Sequence, residues 1–310
     1  MDYREDDPAF AERYLAEAPT LVLGGGSNVL LLDRVPGLTL HLRRGGIAGD
    51  DGHGRFLVRA GTDWNQFVRY TLARGFGGLE NLVLIPGTVG AAPVQNIGAY
   101  GAEVAEFITA VHCFEYGHGP RVLAPADCRF GYRDSLFKQE PDRYLITAVA
   151  FDLSQPRALK LDYGAIPGEL ARRGISAPTP VDVANCVTHI RRSKLPDWFF
   201  YGNSGSFFKN PVVPRSVHER LLADHPDCPA YPLADGHVKL AAGWLIDRAG
   251  LRGARRGPAG SYRGQALVLV NHGGARGRDI LDFSEHVSEA VGARFGVTLE
   301  REVRVVGRDG

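Results

Sequence analysis

The chain has few of the features that announce common chemistries. Its four cysteines, Cys113, Cys128, Cys186 and Cys228, stand far apart and form no Cys-x-x-Cys pair. That argues against zinc sites and dithiol redox centres. The ten histidines show no His-Glu-x-x-His or similar spacing, so no metal is assigned. Neither phosphate-loop signature, Gly-x-Gly-x-x-Gly or Gly-x4-Gly-Lys-Ser/Thr, occurs, and no Gly-x-Ser-x-Gly elbow surrounds a serine. Lys and Arg total 36 against 35 Asp and Glu, a net charge of +1. Such a balance provides no field for nucleic acid or an anionic membrane, and neither partner is expected. No apolar run approaches the roughly 20 residues of a membrane helix. The opening MDYREDDPAF is acidic and lacks the apolar core of a signal peptide. Unpaired cysteines without such a leader point to the cytoplasm. Internal repeats and low-complexity tracts are also missing.

What is present is glycine and loop. At 310 residues, 44% hydrophobic and 23% charged, the chain has the make-up of a globular protein of two or three domains. Its 39 glycines and 19 prolines indicate many turns. They concentrate in Leu82 to Gly101, LVLIPGTVGAAPVQNIGAYG. The apolar start, Leu82 to Ile85, reads as a strand end; loop and one short helical turn follow, because Gly and Pro are the poorest helix formers. Glycines leave N–H groups bare, and successive bare N–H groups make a concave anion site of the kind that holds a diphosphate. Gln95 and Asn96 add amides that suit the edge of a heterocycle. The residues alone leave this open against a plain surface loop.

Residues 1–18 read as a polar helix. Leu21–Leu23 is a short strand entering Gly24-Gly25-Gly26-Ser27-Asn28, a phosphate loop or a tight turn. Val29–Leu32 is apolar and Leu38–Leu42 is a strand. Phe56–Ala60 alternates as a strand, Thr62 caps a helix to Arg74, and Gly75 stops it. Phe107–Phe114 and Tyr144–Leu153 read as strands. Thr179-Pro180 starts a helix to Arg192, since Pro after a Thr cap suits the first helical position. A second compositional unit begins near Asp197. It holds helices near Ser216–Ala223 and Leu240–Ala249, a buried strand Ala266–Asn271, and an amphipathic helix with Ile280, Phe283, Val287, Val291 and Phe295 at core spacing. Val297–Val306 reads as a last strand.

Three further stretches carry polar groups that a loop does not need. In Gly131-Tyr132-Arg133-Asp134-Ser135, Arg133 either grips a carboxylate or pairs with Asp134. In Gly205-Ser206-Phe207-Phe208-Lys209-Asn210, Ser206 is a proton donor, a nucleophile or a turn serine. Glu302, in an apolar strand, is an edge residue or a buried acid with a raised pKa.

Ile85–Gly90, Gln95–Gly101, Gly131–Ser135, Gly205–Pro211 and Leu299–Arg304 occur in that order, and the set resembles the UDP-N-acetylenolpyruvoylglucosamine reductase family, type I, from about residue 20 to the C-terminus. The resemblance implies an α+β protein with the FAD-binding fold of the vanillyl-alcohol oxidase or PCMH type: two α+β subdomains and a C-terminal α+β substrate-binding domain. The corresponding boundaries are 1–44, open to including 303–310, then 45–193 and 194–302. That family ordinarily opens with an Asn-Thr-Phe segment and a strand–helix unit. Here about twenty residues precede Leu21 without it, so the first subdomain is expected to be short.

The resemblance also implies a reaction. NADPH reduces FAD and leaves, and UDP-N-acetylglucosamine enolpyruvate then accepts hydride from the flavin to become UDP-N-acetylmuramate, a peptidoglycan precursor. FAD is expected on Gly24, Gly25, Gly26, Ser27, Asn28, Pro86, Gly87, Thr88, Gly90, Gln95, Asn96, Gly98 and Tyr100. Ser206 would protonate the substrate carbon, with Arg133 and Glu302 stabilising the enolate or enol. Tyr132, Tyr163, Lys194, Asn210 and Gln265 would contact substrate, with Tyr163 on a mobile loop. A monomer is expected. Two other readings stand beside this one: another FAD-linked oxidoreductase of the same fold, and a non-catalytic nucleotide-binding relative.

Overall fold

The computed structural model describes residues 21–141 and 143–307. The helix expected over 1–18 lies outside them. By contacts the chain divides into two compact units, one of residues 1–26 with 35–191 and one of residues 27–34 with 192–310.

The first unit is built on an antiparallel five-stranded sheet in the order Ile47–Asp50, Arg55–Arg59, Tyr144–Asp152, Ile108–Glu115, Gly119–Leu123. Strand alternation buries Phe56 and Val58 on one face. The helix Trp64–Ala73 covers that face with Trp64, Phe67, Val68 and Thr71. Phe67 meets Phe151 at 4.8 Å and Phe56 at 5.9 Å between ring centroids. Asp63, not Thr62, caps this helix by accepting from the Gln66 N–H. The Thr62 hydroxyl is taken by the adjoining turn, where it accepts from the Gly46 N–H and donates to the Arg59 carbonyl. Two further helices, Ile166–Arg172 and Pro180–Lys194, pack Ile166, Leu170, Val183, Val187 and Ile190 into the same core. Thr179 and Asp182 cap the longer helix reciprocally: each side chain accepts from the other's backbone N–H. Glu169 clamps the shorter one through Arg172 and Arg173. Leu21–Leu23 pairs in parallel with Thr39–His41.

Leu82–Ile85 is not a strand end. Glu80–Leu82 forms a 3-10 turn that buries Glu80, Asn81 and Leu82, and Leu84 adopts φ 61°. The run is apolar because it enters the core as a turn, with the Trp64 indole N–H donating to the Leu82 carbonyl at 2.8 Å.

The second unit joins a four-stranded antiparallel sheet (Gly202–Ser206, Gln265–Asn271, Ala259–Tyr262, Arg255–Arg256) and a three-stranded one (Val212–Pro214, His237–Leu240, Ala230–Pro232) to the helices Arg215–Asp224, Ala242–Arg248 and Gly277–Phe295. Ile280, Phe283, Val287, Val291 and Phe295 of the last helix are all buried. Each such side chain contributes about 1.5–3 kcal/mol when fully buried. Gly296, at φ 65°, stops the helix. Val29–Leu31 pairs in parallel with Arg304–Val306. Only those three residues of the expected Val297–Val306 strand are extended in a ladder. Upstream, Val297, Leu299 and Val303 are buried by packing rather than strand pairing, apart from one bridge between Arg301 and Phe208. No helix among the described residues is long and apolar enough to cross a membrane.

Candidate active site

In the first unit the two glycine loops meet. Gly87 to Gly90 is laid along the turn before the Trp64–Ala73 helix: Trp64 N–H donates to the Gly87 carbonyl, Val89 N–H to the Thr62 carbonyl and Gly90 N–H to the Ala60 carbonyl. A Cβ on Gly25 would lie 3.0 Å from the Gly87 Cα, and one on Gly24 2.7 Å from the Thr88 hydroxyl oxygen. At Gly25 backbone therefore faces backbone, whereas Gly24 faces the Thr88 side chain, and Gly25 and Gly26 are exposed. Pro86 is exposed as well. Such bare backbone is the cradle a diphosphate requires.

Beyond this cradle, Asn96 is buried and adopts φ 44°. Its Nδ2 donates to Glu103 Oε2 at 2.8 Å and to the Gly131 carbonyl at 3.0 Å; its Oδ1 accepts from the Ala105 N–H at 3.0 Å. The amide expected to touch flavin is thus spent on the protein. It ties the glycine stretch to the turn that carries Arg133, whereas the neighbouring Gln95 is partly exposed. Arg133 sits at φ 54° in that turn, closed by an isolated bridge between Gly131 and Asp134. Its Nη2 donates to the Gly98 carbonyl at 2.5 Å and its Nη1 to the Asn96 carbonyl at 3.4 Å. A Cβ at Gly98 would come within 2.9 Å of both the Ala102 carbonyl oxygen and the Arg133 Nη1, and the backbone contact accounts for glycine there. Tyr132 lies beneath the guanidinium, 5.2 Å from ring centroid to Cζ. Asp134 turns onto its own loop, accepting from the Ser135 N–H and from Gln139 Nε2.

Tyr100 follows at φ 49°. Its ring meets the Tyr163 ring edge-on at 6.4 Å. Asn81 Nδ2 donates to both the Tyr100 and Lys160 carbonyls, at 2.8 and 2.9 Å, so the segment leading to Tyr163 is held against the glycine stretch. Burial raises the Tyr100 phenol pKa, against a smaller lowering by Arg191. Asn81 was not anticipated. The signal was present, two polar residues, Glu80 and Asn81, in the otherwise apolar stretch Leu79–Ile85. Strained backbone at Asn96, Tyr100 and Arg133 gathers at one place, as it does at functional sites.

The second unit gathers the other expected residues. Ser206 ends the Gly202–Ser206 strand opposite Val268. The Glu302 N–H donates to the carbonyl of the next residue, Phe207, at 2.9 Å. Asn28 Nδ2 donates to the Glu302 carbonyl at 3.3 Å, and the Arg304 N–H to the Asn28 carbonyl at 3.1 Å. The Ser204 hydroxyl donates to the Val29 carbonyl at 2.9 Å. Backbone pairing thus brings Ser27–Asn28, Ser206 and Glu302 together. Glu302 is partly buried. Asn210 Oδ1 accepts from the Ala242 N–H at 2.9 Å at the start of the Ala242–Arg248 helix. Gln265 opens its strand opposite Tyr262, and Lys194 is exposed at the end of its helix. The loop expected to run from Gly24 to Asn28 divides between the units after Gly26. The thiols of Cys113 and Cys128, pushed by burial up to about 11 and about 12, are inert. Among the described residues no group of His, Cys, Asp and Glu could hold a metal ion.

Residues 9–119 match the family model described as FAD binding domain, and residues 197–306 that described as UDP-N-acetylenolpyruvoylglucosamine reductase, C-terminal domain. The Chromobacterium violaceum protein named UDP-N-acetylenolpyruvoylglucosamine reductase is 50% identical over 97% of this chain and 91% of its own length. The chain belongs to the UDP-N-acetylenolpyruvoylglucosamine reductase family. A Pseudomonas aeruginosa protein of the same name is also 50% identical, over 97% of this chain and 89% of its own. The crystal structure of the Thermus caldophilus reductase aligns with a TM-score of 0.65 at 28% identity, covering 94% of this chain and 87% of that one. The fold is therefore the PCMH-type FAD-binding fold with the family's C-terminal domain.

Proposed function

We propose that this chain is an NADPH-dependent FAD enzyme that reduces UDP-N-acetylglucosamine enolpyruvate to UDP-N-acetylmuramate, in the cytoplasm and as a monomer, for peptidoglycan precursor synthesis. The observation that carries the reading is the approach of Gly25 to Gly87, where a Cβ would be 3.0 Å from the facing backbone. That cradle suits the FAD diphosphate, with Gly24, Gly26, Pro86, Thr88 and Gly90 around it. When bound, FAD supplies the hydride that no side chain can donate. A three-part division at 1–44, 45–193 and 194–302 goes with this reading.

The residues do the rest. Hydride added to the terminal methylene breaks the carbon–carbon π bond and leaves an electron pair spread onto the carboxylate. Arg133, anchored by the Gly98 and Asn96 carbonyls, is fixed to receive that charge. The Ser206 hydroxyl gives its proton to the adjacent carbon, completing the C–H bond. Glu302, on the segment whose backbone pairs with Phe207 next to Ser206, joins Arg133 in stabilising the enolate or enol. Tyr132, Tyr163, Lys194, Asn210 and Gln265 hold the nucleotide, with Tyr163, Lys194 and Asn210 near its diphosphate.

The test is anaerobic. The purified protein should be yellow, bleach on adding NADPH and regain colour on adding the enolpyruvyl nucleotide. Colour that returns with another acceptor but not with this one identifies a different oxidoreductase, and a colourless protein that takes up no FAD identifies a non-catalytic relative.

A further inference from the structure

The helix Pro180–Lys194 turns Val183, Val187 and Ile190 into the core. At the next position of that stripe stands Arg191. Its Nε is buried and has no hydrogen-bond partner. Its charge neighbour among the described residues is the Tyr100 phenol. A phenol is neutral near pH 7 and cannot balance a guanidinium. Burial pulls the Arg191 pKa down, yet a guanidinium does not surrender its proton in a protein. Arg191 as a whole is only partly buried, so the cost is that of its buried Nε, borne as lost stability and offset in part by the helix C-terminal turn in which Arg191 lies. Arg133 holds the same short segment through the Gly98 carbonyl. The Gly98–Tyr100 segment thus has one guanidinium at its Gly98 carbonyl and another beside its Tyr100 phenol, and Asn81 and Tyr163 contact it as well.

We propose that Arg191 is a charge-balancing residue for an oxyanion that arrives with the ligand of the first unit. The shared chemistry is a delocalised negative charge. Its two sources are the charge the FAD ring gains on reduction and the carboxylate or diphosphate of the nucleotide. This rests on the FAD reading above. It separates Arg133, which serves the substrate carbon, from a second cation that serves the ligand's standing charge. A structural arginine would be expected to satisfy its Nε on the protein, and Arg191 does not.

The experiment compares wild-type protein, Arg191→Met and Arg191→Lys. Without FAD, Arg191→Met should melt at or above the wild-type temperature, because an uncompensated buried charge is removed. With FAD bound, either of two results supports the proposal. If the flavin is the source, the reduction potential of Arg191→Met falls by ~30 mV or more, tenfold in a two-electron equilibrium, while nucleotide affinity is unchanged. If the nucleotide is the source, its Kd for the oxidised holoenzyme rises tenfold or more at unchanged potential. Lys should restore part of either loss. A potential within about 14 mV of wild type together with a Kd within threefold overturns the proposal, as does a lower melting temperature with neither change. Should Arg191→Met not fold, Arg191→Lys and Arg191→Gln carry the same two readouts. Wild-type protein that takes up no FAD would instead overturn the functional reading beneath.

Discussion

Asn96 and Arg133 hold each other in place. Asn96 Nδ2 donates to the Gly131 carbonyl at 3.0 Å, closing the turn on which Arg133 stands, and the Arg133 guanidinium donates back to the Asn96 carbonyl at 3.4 Å. Both residues have positive φ, 44° and 54°. The glycine stretch and the Arg133 turn, separated by more than thirty residues, therefore act as one element. A change at Asn96 should be felt at Arg133.

Asn96→Ala should test that coupling. It removes three hydrogen bonds and leaves the Ala105 N–H without its partner, while the Gly131 carbonyl keeps only the Asp134 N–H. At about 1–3 kcal/mol for an unsatisfied buried group, a loss of about 2–4 kcal/mol is expected. Chemical denaturation measures it. Turnover should fall with FAD still bound, because Arg133 loses its anchor rather than the cofactor its cradle.

Gly25→Ala addresses the cradle. The new Cβ meets backbone at 3.0 Å, so one loop must shift. FAD affinity should drop at least tenfold, about 1.4 kcal/mol, by fluorescence titration. Arg133 and Ser206 are untouched, so the rate at saturating FAD should hold within a few-fold.

Glu169 sets an acid limb of stability. The Arg172 guanidinium and then Arg173 hold its carboxyl at about 2, below the usual 4.5. A depressed folded-state pKa stabilises the protein above the unfolded value and ceases to as pH falls through the folded one. The window is thus pH 4.5 down to about 2. Glu169→Gln should melt lower than wild type at pH 6, and the gap should close toward pH 2, by calorimetry across that range.

Thr179→Ala removes one half of a reciprocal cap. About 1 kcal/mol should be lost. Because this helix carries both Arg191 and Lys194, a rise in the KM for nucleotide should accompany the fall in Tm.

Much of this arrangement is legible in the chain. Thr179-Pro180 marks a helix start, and the stripe from Ile280 to Phe295 marks a buried face, because both signals are local. The glycine stretch announces a backbone that must approach something closely, and Gly25 against Gly87 is that approach. Other features depend on partners distant in sequence. Thr62 and Asp63 are equally able to cap, and Gly46 decides between them by taking the Thr62 hydroxyl. Leu82–Ile85 has strand composition, but Trp64 draws it into the core as a turn. Val297 to Val303 alternates without a strand to pair with beyond a single bridge. Asn96 has the chemistry for a heterocycle edge, and Glu103, Gly131 and Ala105 claim it first. Arg191 breaks an apolar stripe, a signal that becomes readable once Tyr100 is seen beside it.

In the proposed reaction hydride delivery and proton delivery fall to different groups, with Ser206 providing the proton. Stopped-flow absorbance near ~450 nm, where oxidised flavins absorb, separates the two halves in Ser206→Ala. Reduction by NADPH should proceed at the wild-type rate. Reoxidation by the enolpyruvyl nucleotide should slow by about 10²–10⁴-fold, the usual worth of general acid catalysis. Reoxidation at the wild-type rate would contradict the assignment.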